Sequence, residues 1–191
     1  MKNISLSLKE NEEKILPLVW TSGSEEIEVN ARLEGRGSRL EVIGAFFLSN
    51  SDEVRATVNI THAAPDTYSN TLIKSVLTEK AKGGFYGLVK INRGAKNTDT
   101  YFREDALLLS KDAKAEAIPS LEIHENEIKA GHASTVGAVD DEMLFYLQSR
   151  GITQEEAKRM IVQGYLTGIS ERLPEKEKEK LSKFLEKQFN I

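Results

Sequence analysis

The sequence predicts a mainly β protein whose chain closes with a block of α-helices. Three observations predict it: apolar residues recur every second position from residue 4 to about 128, they recur every third or fourth position after 138, and strong capping signals mark the change. In EIEVNARLEG, Ile27, Val29, Ala31 and Leu33 alternate with Glu26, Glu28, Asn30 and Arg32. In EVRATVNIT, Val54, Ala56, Val58 and Ile60 alternate with Arg55, Thr57, Asn59 and Thr61. Such alternation sets one face of a strand on a core and the other in water. Less regular stretches at 4–8, 15–20, 40–48, 72–78, 85–91, 100–109 and 113–123 bring the expected strands to nine. Turn chemistry leaves two architectures open. No Asn-Gly or Asp-Gly occurs, so the strongest tight-hairpin signal is missing. Stacked coils of a parallel β-helix need no such turns, yet no short repeat marks coils either. Period alone gives a sandwich and a parallel β-helix equal weight.

The helices follow in order. Asp140 is the N-cap expected for DEMLFYLQSR, and Gly151 the C′ residue. Thr153 and Glu156 form a capping box that opens QEEAKRMIVQGYLTGISERL. On this second helix Ala157, Met160, Ile161, Gly164 and Tyr165 make one apolar stripe, and Val162, Leu166 and Ile169 make another. A helix apolar on two faces needs cover on both, from its own domain and from the last helix or a partner. The last helix starts at Pro174 and places Leu181, Phe184 and Leu185 on one face, with its Glu/Lys run in solvent. The expected division is a β core over 1–138 and a helical docking domain over 139–191.

Composition narrows the chemistry. Hydrophobic residues at 39% and charged residues at 29% fit a globular chain. No apolar run approaches the ~20 residues of a membrane helix, and MKNISLSLKENEEK lacks the apolar stretch of a secretory signal. We therefore expect a cytoplasmic protein without a membrane partner. Cysteine is absent, which excludes disulfides, thiolate nucleophiles and thiolate metal ligation by this chain. A net charge of −4 opposes a nucleic-acid platform. A helix–turn–helix reading of 140–170 fails on the same ground, because Glu155 and Glu156 would lead the recognition helix toward phosphates. Phosphate-binding glycine loops and a nucleophile elbow are missing, so no enzyme activity is expected. Carboxylates are plentiful, and a carbohydrate-active β-helix using paired acids stays open as an alternative.

Three histidines remain. His124, in LEIHENEI, reads as an exposed turn residue. His62, in THAAPDTYS, ends a strand and reads as a hydrogen-bonded side chain or a ligand. His132, in KAGHASTVG, is flanked by Gly131 and Ala133, which leave its ring accessible or let backbone pack close.

The stretch AGHASTVGAVDDEMLFYLQSRGI resembles the C-S-H-G-A-T-V-G…LFYL-x-S-R-G-I signature of the SufB/SufD proteins of iron–sulfur cluster assembly. The likeness runs back through NITHAAPDTYS, GGFYGLVKINRGAKNTD, LLLS and IPSLEI in the family's order, covering about residues 30–170. The resemblance implies a right-handed parallel β-helix core with a C-terminal α-helical domain. It also implies assembly with a SufC-like ATPase docked on the helices and a SufB-like chain, or a second copy, paired along the β-helix. Leu144, Phe145, Arg150, Gly151, Met160, Val162, Tyr165, Leu166 and Ile169 are the partner-binding residues this suggests. The family's cysteine aligns with Ala130, while its histidines are kept as His132 and His62; its glutamines align with Lys96 and Ser120. Full-length members carry a further N-terminal region for which 191 residues leave no room. A reduced, SufD-like role is expected, with no tightly bound cofactor and iron held only transiently. Neutral imidazole with carboxylate suits Fe(II), so His132 and His62 are the metal candidates, with Glu155 or Glu156 nearby.

Overall fold

Ten strands alternate between two parallel sheets. The structure is a computed structural model and describes residues 1–189, so the last two residues of the expected helical block lie outside the described residues. β1 (Lys2–Leu8), β3 (Glu25–Leu33), β5 (Glu53–His62), β7 (Lys82–Ile91) and β9 (Lys114–Ile123) form one sheet in that order. β2 (Glu13–Trp20), β4 (Arg39–Leu48), β6 (Tyr68–Leu77), β8 (Thr98–Leu108) and β10 (Ile128–Ala138) form the other. Each strand pairs in parallel with the strand two places on, so the chain is a β-solenoid of five coils, and the sandwich is ruled out.

The missing hairpin turns now have an explanation. At one corner Asn11, Gly37, Asp66 and Asn97 all have φ between 55° and 72°. Each donates its backbone N–H to a carbonyl of the following coil: Arg36, Pro65, Lys96 and Glu127, at 2.7–3.3 Å. Asn, Asp and Gly tolerate this left-handed conformation, and stacking them repeats the corner without a shared sequence motif.

Inside the coils the period-two pattern fills a lumen. Ala31, Ile60 and Val89 stack in register on one sheet, and Leu48 and Leu77 on the other, all buried. Phe46 and Phe85 meet across the lumen edge-to-face, with ring centroids 5.2 Å apart. Gly87 gives Phe102 its room, because a Cβ there would lie 2.3 Å from the Phe102 ring. Gly87→Ala is expected to destabilise the chain by about 1–3 kcal/mol through overpacking. A urea midpoint equal to wild type would contradict that tight lumen.

A second core lies outside the even-numbered sheet. Ile43, Ala45 and Phe47 of β4 and Val76 of β6 pack against Val162, Leu166 and Ile169 of α2 (Gln154–Ser170). Leu173 and Leu181, the latter on α3 (Glu175–Phe189), complete the cluster. β4 is thus buried on both faces, which is why RLEVIGAFFL is nearly continuous in apolar residues instead of alternating. α1 (Asp141–Ser149) has no buried residue and rests on α2. The capping expectations hold. Asp140 Oδ1 accepts from the Glu142 N–H at 2.9 Å, Gly151 has φ 86°, and the Thr153–Glu156 box is complete. No helix among the described residues is long and apolar enough to cross a membrane.

Nine strands were expected and ten are present among the described residues. β10 was missed because its sequence, IKAGHASTVGA, carries small and polar residues at the positions in phase with the lumen. His132 therefore sits in the middle of a strand, β10.

Candidate functional site

β10 is the last strand of its sheet, and it presents an open lumen end. Its in-phase residues Ala130, His132, Ser134 and Val136 pair with Thr100, Phe102, Glu104 and Ala106 of β8. The β8 side chains are buried, whereas His132, Ser134 and Val136 are exposed because no further coil covers them. Ala130 stands over Thr100, so methyl replaces thiol at the position the family resemblance marks.

Glu104 lies one coil beneath this surface and is 1% exposed. Neither carboxylate oxygen has a hydrogen-bond partner among the described residues. Burial pushes its pKa up to about 7, since no donor stabilises the charged form. Sequence reasoning missed it, although the signal was present. In TDTYFREDA a glutamate occupies a position in phase with Thr98, Thr100, Phe102 and Ala106.

His62 is placed elsewhere, on β5 of the other sheet, and is wholly buried. Nδ1 lies 2.8 Å from Thr67 Oγ1 and Nε2 lies 2.9 Å from Ser69 Oγ. Those hydroxyls continue to Thr98 and Thr100, so both ring nitrogens are occupied inside a buried network. The hydrogen-bonded reading of His62 is the one the geometry matches. His62 and His132 lie on strands that do not pair, and no group of three or more metal-ligating side chains occurs among the described residues. Glu156, offered as a helper ligand, closes the capping box. His124 is exposed and bonds Glu122 at 2.8 Å, as a turn residue should. Outer-face carboxylates sit beside bases: Glu122 with Lys90, Glu127 with Lys96 and Glu53 with Lys82.

The suggested partner-binding residues separate into two groups. Val162, Leu166 and Ile169 are fully buried against the chain's own sheet, which corrects their assignment to a docking face. Tyr165 is half-buried in the same core, and Lys74 donates to its carbonyl at 2.7 Å. The stripe chosen for a partner is the one that holds the helices to the solenoid. The other group faces out. Phe145 is 72% exposed, and Met143, Tyr146 and Met160 are also exposed, while Leu144 is half-buried. Arg150 lies over the Tyr146 ring at 5.2 Å, and Gly151 ends α1. Gly164 and Gly168 extend this surface along α2, with open space where a Cβ would stand.

A family model, described as the SUF system FeS cluster assembly SufBD core domain, matches residues 16–165, well over half of the chain. This chain belongs to the SufB/SufD family. An iron-sulfur cluster assembly SufBD family protein of Mycobacterium leprae is 37% identical over 163 residues, covering 80% of this chain and 42% of the relative. One of Mycobacterium bovis is 34% identical over 180 residues, covering 88% and 45%. One of Mycobacterium tuberculosis is 32% identical over 156 residues, covering 82% and 18%. This SufB/SufD chain thus spans less than half the length of these curated relatives. The core-domain match takes in the solenoid from β2 onward, α1 and most of α2, so the open coil and the outward helix surface as far as Gly164 lie within it.

Proposed function

We propose that this SufB/SufD chain is a non-enzymatic component of an iron–sulfur cluster assembly complex that docks a SufC-type ATPase on the outward surface of α1 and α2. The observation that carries this reading is the pair Gly164 and Gly168. Glycine inside a helix costs about 1 kcal/mol relative to alanine, and neither position has a neighbour that needs the space. Beside the exposed Phe145 and Met160, the two glycines form a flat track on which a partner's helix can lie close. The open last coil, with its unpaired β9 and β10 edges, suits pairing with a SufB-like chain or a second copy.

Gly164→Ala with Gly168→Ala is expected to stabilise the free chain by about 1–2 kcal/mol. Gly168→Leu and Phe145→Glu are expected to lose co-purification with a SufC-type ATPase while keeping a urea midpoint no lower than that of the wild type. A correctly folded wild-type chain that captures no such ATPase from the native extract would remove the docking reading.

A second reading, transient iron binding at the open lumen end, is supported by His132 standing in phase with buried Glu104. It predicts that His132→Ala weakens Fe(II) binding in an anaerobic titration. Unchanged affinity sinks it.

A further inference from the structure

A third feature lies outside both of these surfaces, on the outer face of the even-numbered sheet where α2 ends. A pocket of about 370 Å³ opens there, a volume within the range of small-ligand sites. Three adjacent cross-strand pairs build its wall: Asn70 with Tyr101, Leu72 with Arg103 and Lys74 with Asp105. Arg172, just beyond α2, closes the other side.

Its charges do not balance. Arg103 pairs with Asp105 at 2.8 Å, and Arg172 pairs with Glu41 at 2.8 Å. Lys74 makes no ion pair among the described residues. Its amine is held between the Tyr165 carbonyl, at 2.7 Å, and the Tyr165 ring, at 4.5 Å from the centroid. Burial holds the Lys74 ammonium below its ordinary range, against the pull of Asp105 and helped by the charge of Arg103. Three cations thus face two carboxylates, and one positive charge is left over. Asp105 is 8% exposed, and its Oδ1 is buried without a hydrogen-bond partner, as is the Tyr165 hydroxyl. Native proteins rarely leave such atoms unpaired; Asp105 Oδ1 only accepts, so a water carried in with a ligand, and not an anion itself, would satisfy it.

We propose that this pocket binds a single carboxylate group, held by Lys74, Arg103 and Arg172 with Asn70 and Tyr101 at the rim. Guanidinium forks match a carboxylate's two oxygens. A monoanion neutralises the surplus charge, whereas a dianion such as phosphate would carry its second charge toward Asp105 and Glu41. The group has two possible sources, a free small carboxylic acid or an acidic side chain of a protein partner.

The test titrates the full chain with acetate, with an acetylated Gly-Glu-Gly amide and with inorganic phosphate at constant ionic strength in chloride. Binding is read by amide NMR shifts and by protection of the Lys74 amine from acylation, quantified by mass spectrometry. We expect saturable shifts confined to β6, β8 and the end of α2, with Lys74 protected by both carboxylates. Tighter binding of acetate identifies a free acid as the source, and tighter binding of the peptide identifies a partner side chain. Arg172→Gln and Arg103→Gln should each weaken binding about tenfold, equivalent to about 1.4 kcal/mol; Arg172→Gln should change the urea midpoint by no more than a surface substitution does, whereas Arg103→Gln also lowers it by stripping Asp105 of its ion-pair partner. Shifts that grow linearly without saturating would overturn the proposal. So would equal affinity in both variants, or phosphate binding more tightly than either carboxylate.

Discussion

Leu166→Asp is expected to detach the helical layer from the solenoid while leaving the solenoid folded. Leu166 is fully buried among Ile43, Phe47, Val76, Val162 and Ile169. Truncating a buried leucine costs about 2–5 kcal/mol, and a carboxylate placed in that site adds several more unless it is protonated. The cluster under α2 is separate from the lumen core, which holds Leu33, Leu48, Ile60 and Phe85. The loss should therefore stay local. Far-UV circular dichroism should lose helical signal, and limited proteolysis should cut beyond residue 138 while 1–138 stays protected. Phe145→Glu on the outward side of the same layer should show neither effect. Joint unfolding of helices and strands would mean that the two cores stabilise each other as one unit. Retention of protected helices would mean that Leu166 does not hold the layer.

That contrast marks how far sequence alone reached. β3 and β5 were legible because each has one face on the lumen and one in water, so polarity alternates residue by residue. The same logic failed at β10, where the lumen ends. A strand over an open end needs no large apolar residues, and IKAGHASTVGA has few. On α2 both apolar stripes were visible, but periodicity cannot say which one faces inward. That depends on β4 and β6 presenting Ile43, Phe47 and Val76, more than 80 residues earlier in the chain. The helix caps depended only on neighbours three or four residues away, and they were read correctly. Glu104 was legible in principle, since its phase in TDTYFREDA already placed it on the lumen side.

Glu104 and His62 should give the solenoid two opposed pH dependences that substitution separates. Burial lowers the His62 pKa from 6.5 to about 4, so the unfolded chain binds a proton there that the folded chain refuses. Its contribution is fully present above pH 6.5 and is lost as pH falls toward 4. At about 1.4 kcal/mol per pH unit the loss is about 3 kcal/mol. Burial raises the Glu104 pKa from 4.5 to about 7, so the sign reverses. The folded chain holds a proton that the unfolded chain releases; stability is fully present below 4.5 and falls as pH rises through 7, again by about 3 kcal/mol. Between pH 4.5 and 6.5 the two largely cancel in the wild type. Glu104→Gln removes one of them. Urea midpoints of that variant should fall steadily from pH 6.5 to 4, and above pH 7 it should exceed the wild type by about 2–3 kcal/mol, because no buried charge remains to be formed. His62→Gln should show the mirror image, with its greatest stability near pH 4.5 and a decline toward 7. Wild-type and Glu104→Gln curves that run parallel from pH 4 to 8 would mean that Glu104 ionises as freely in the fold as in the unfolded chain. The carboxylate would then have reached water or a cation through the open coil at β10. A lumen that admits solvent as far as Glu104 would make His132 and Glu104 accessible to the same ligand, which is the arrangement transient iron binding requires.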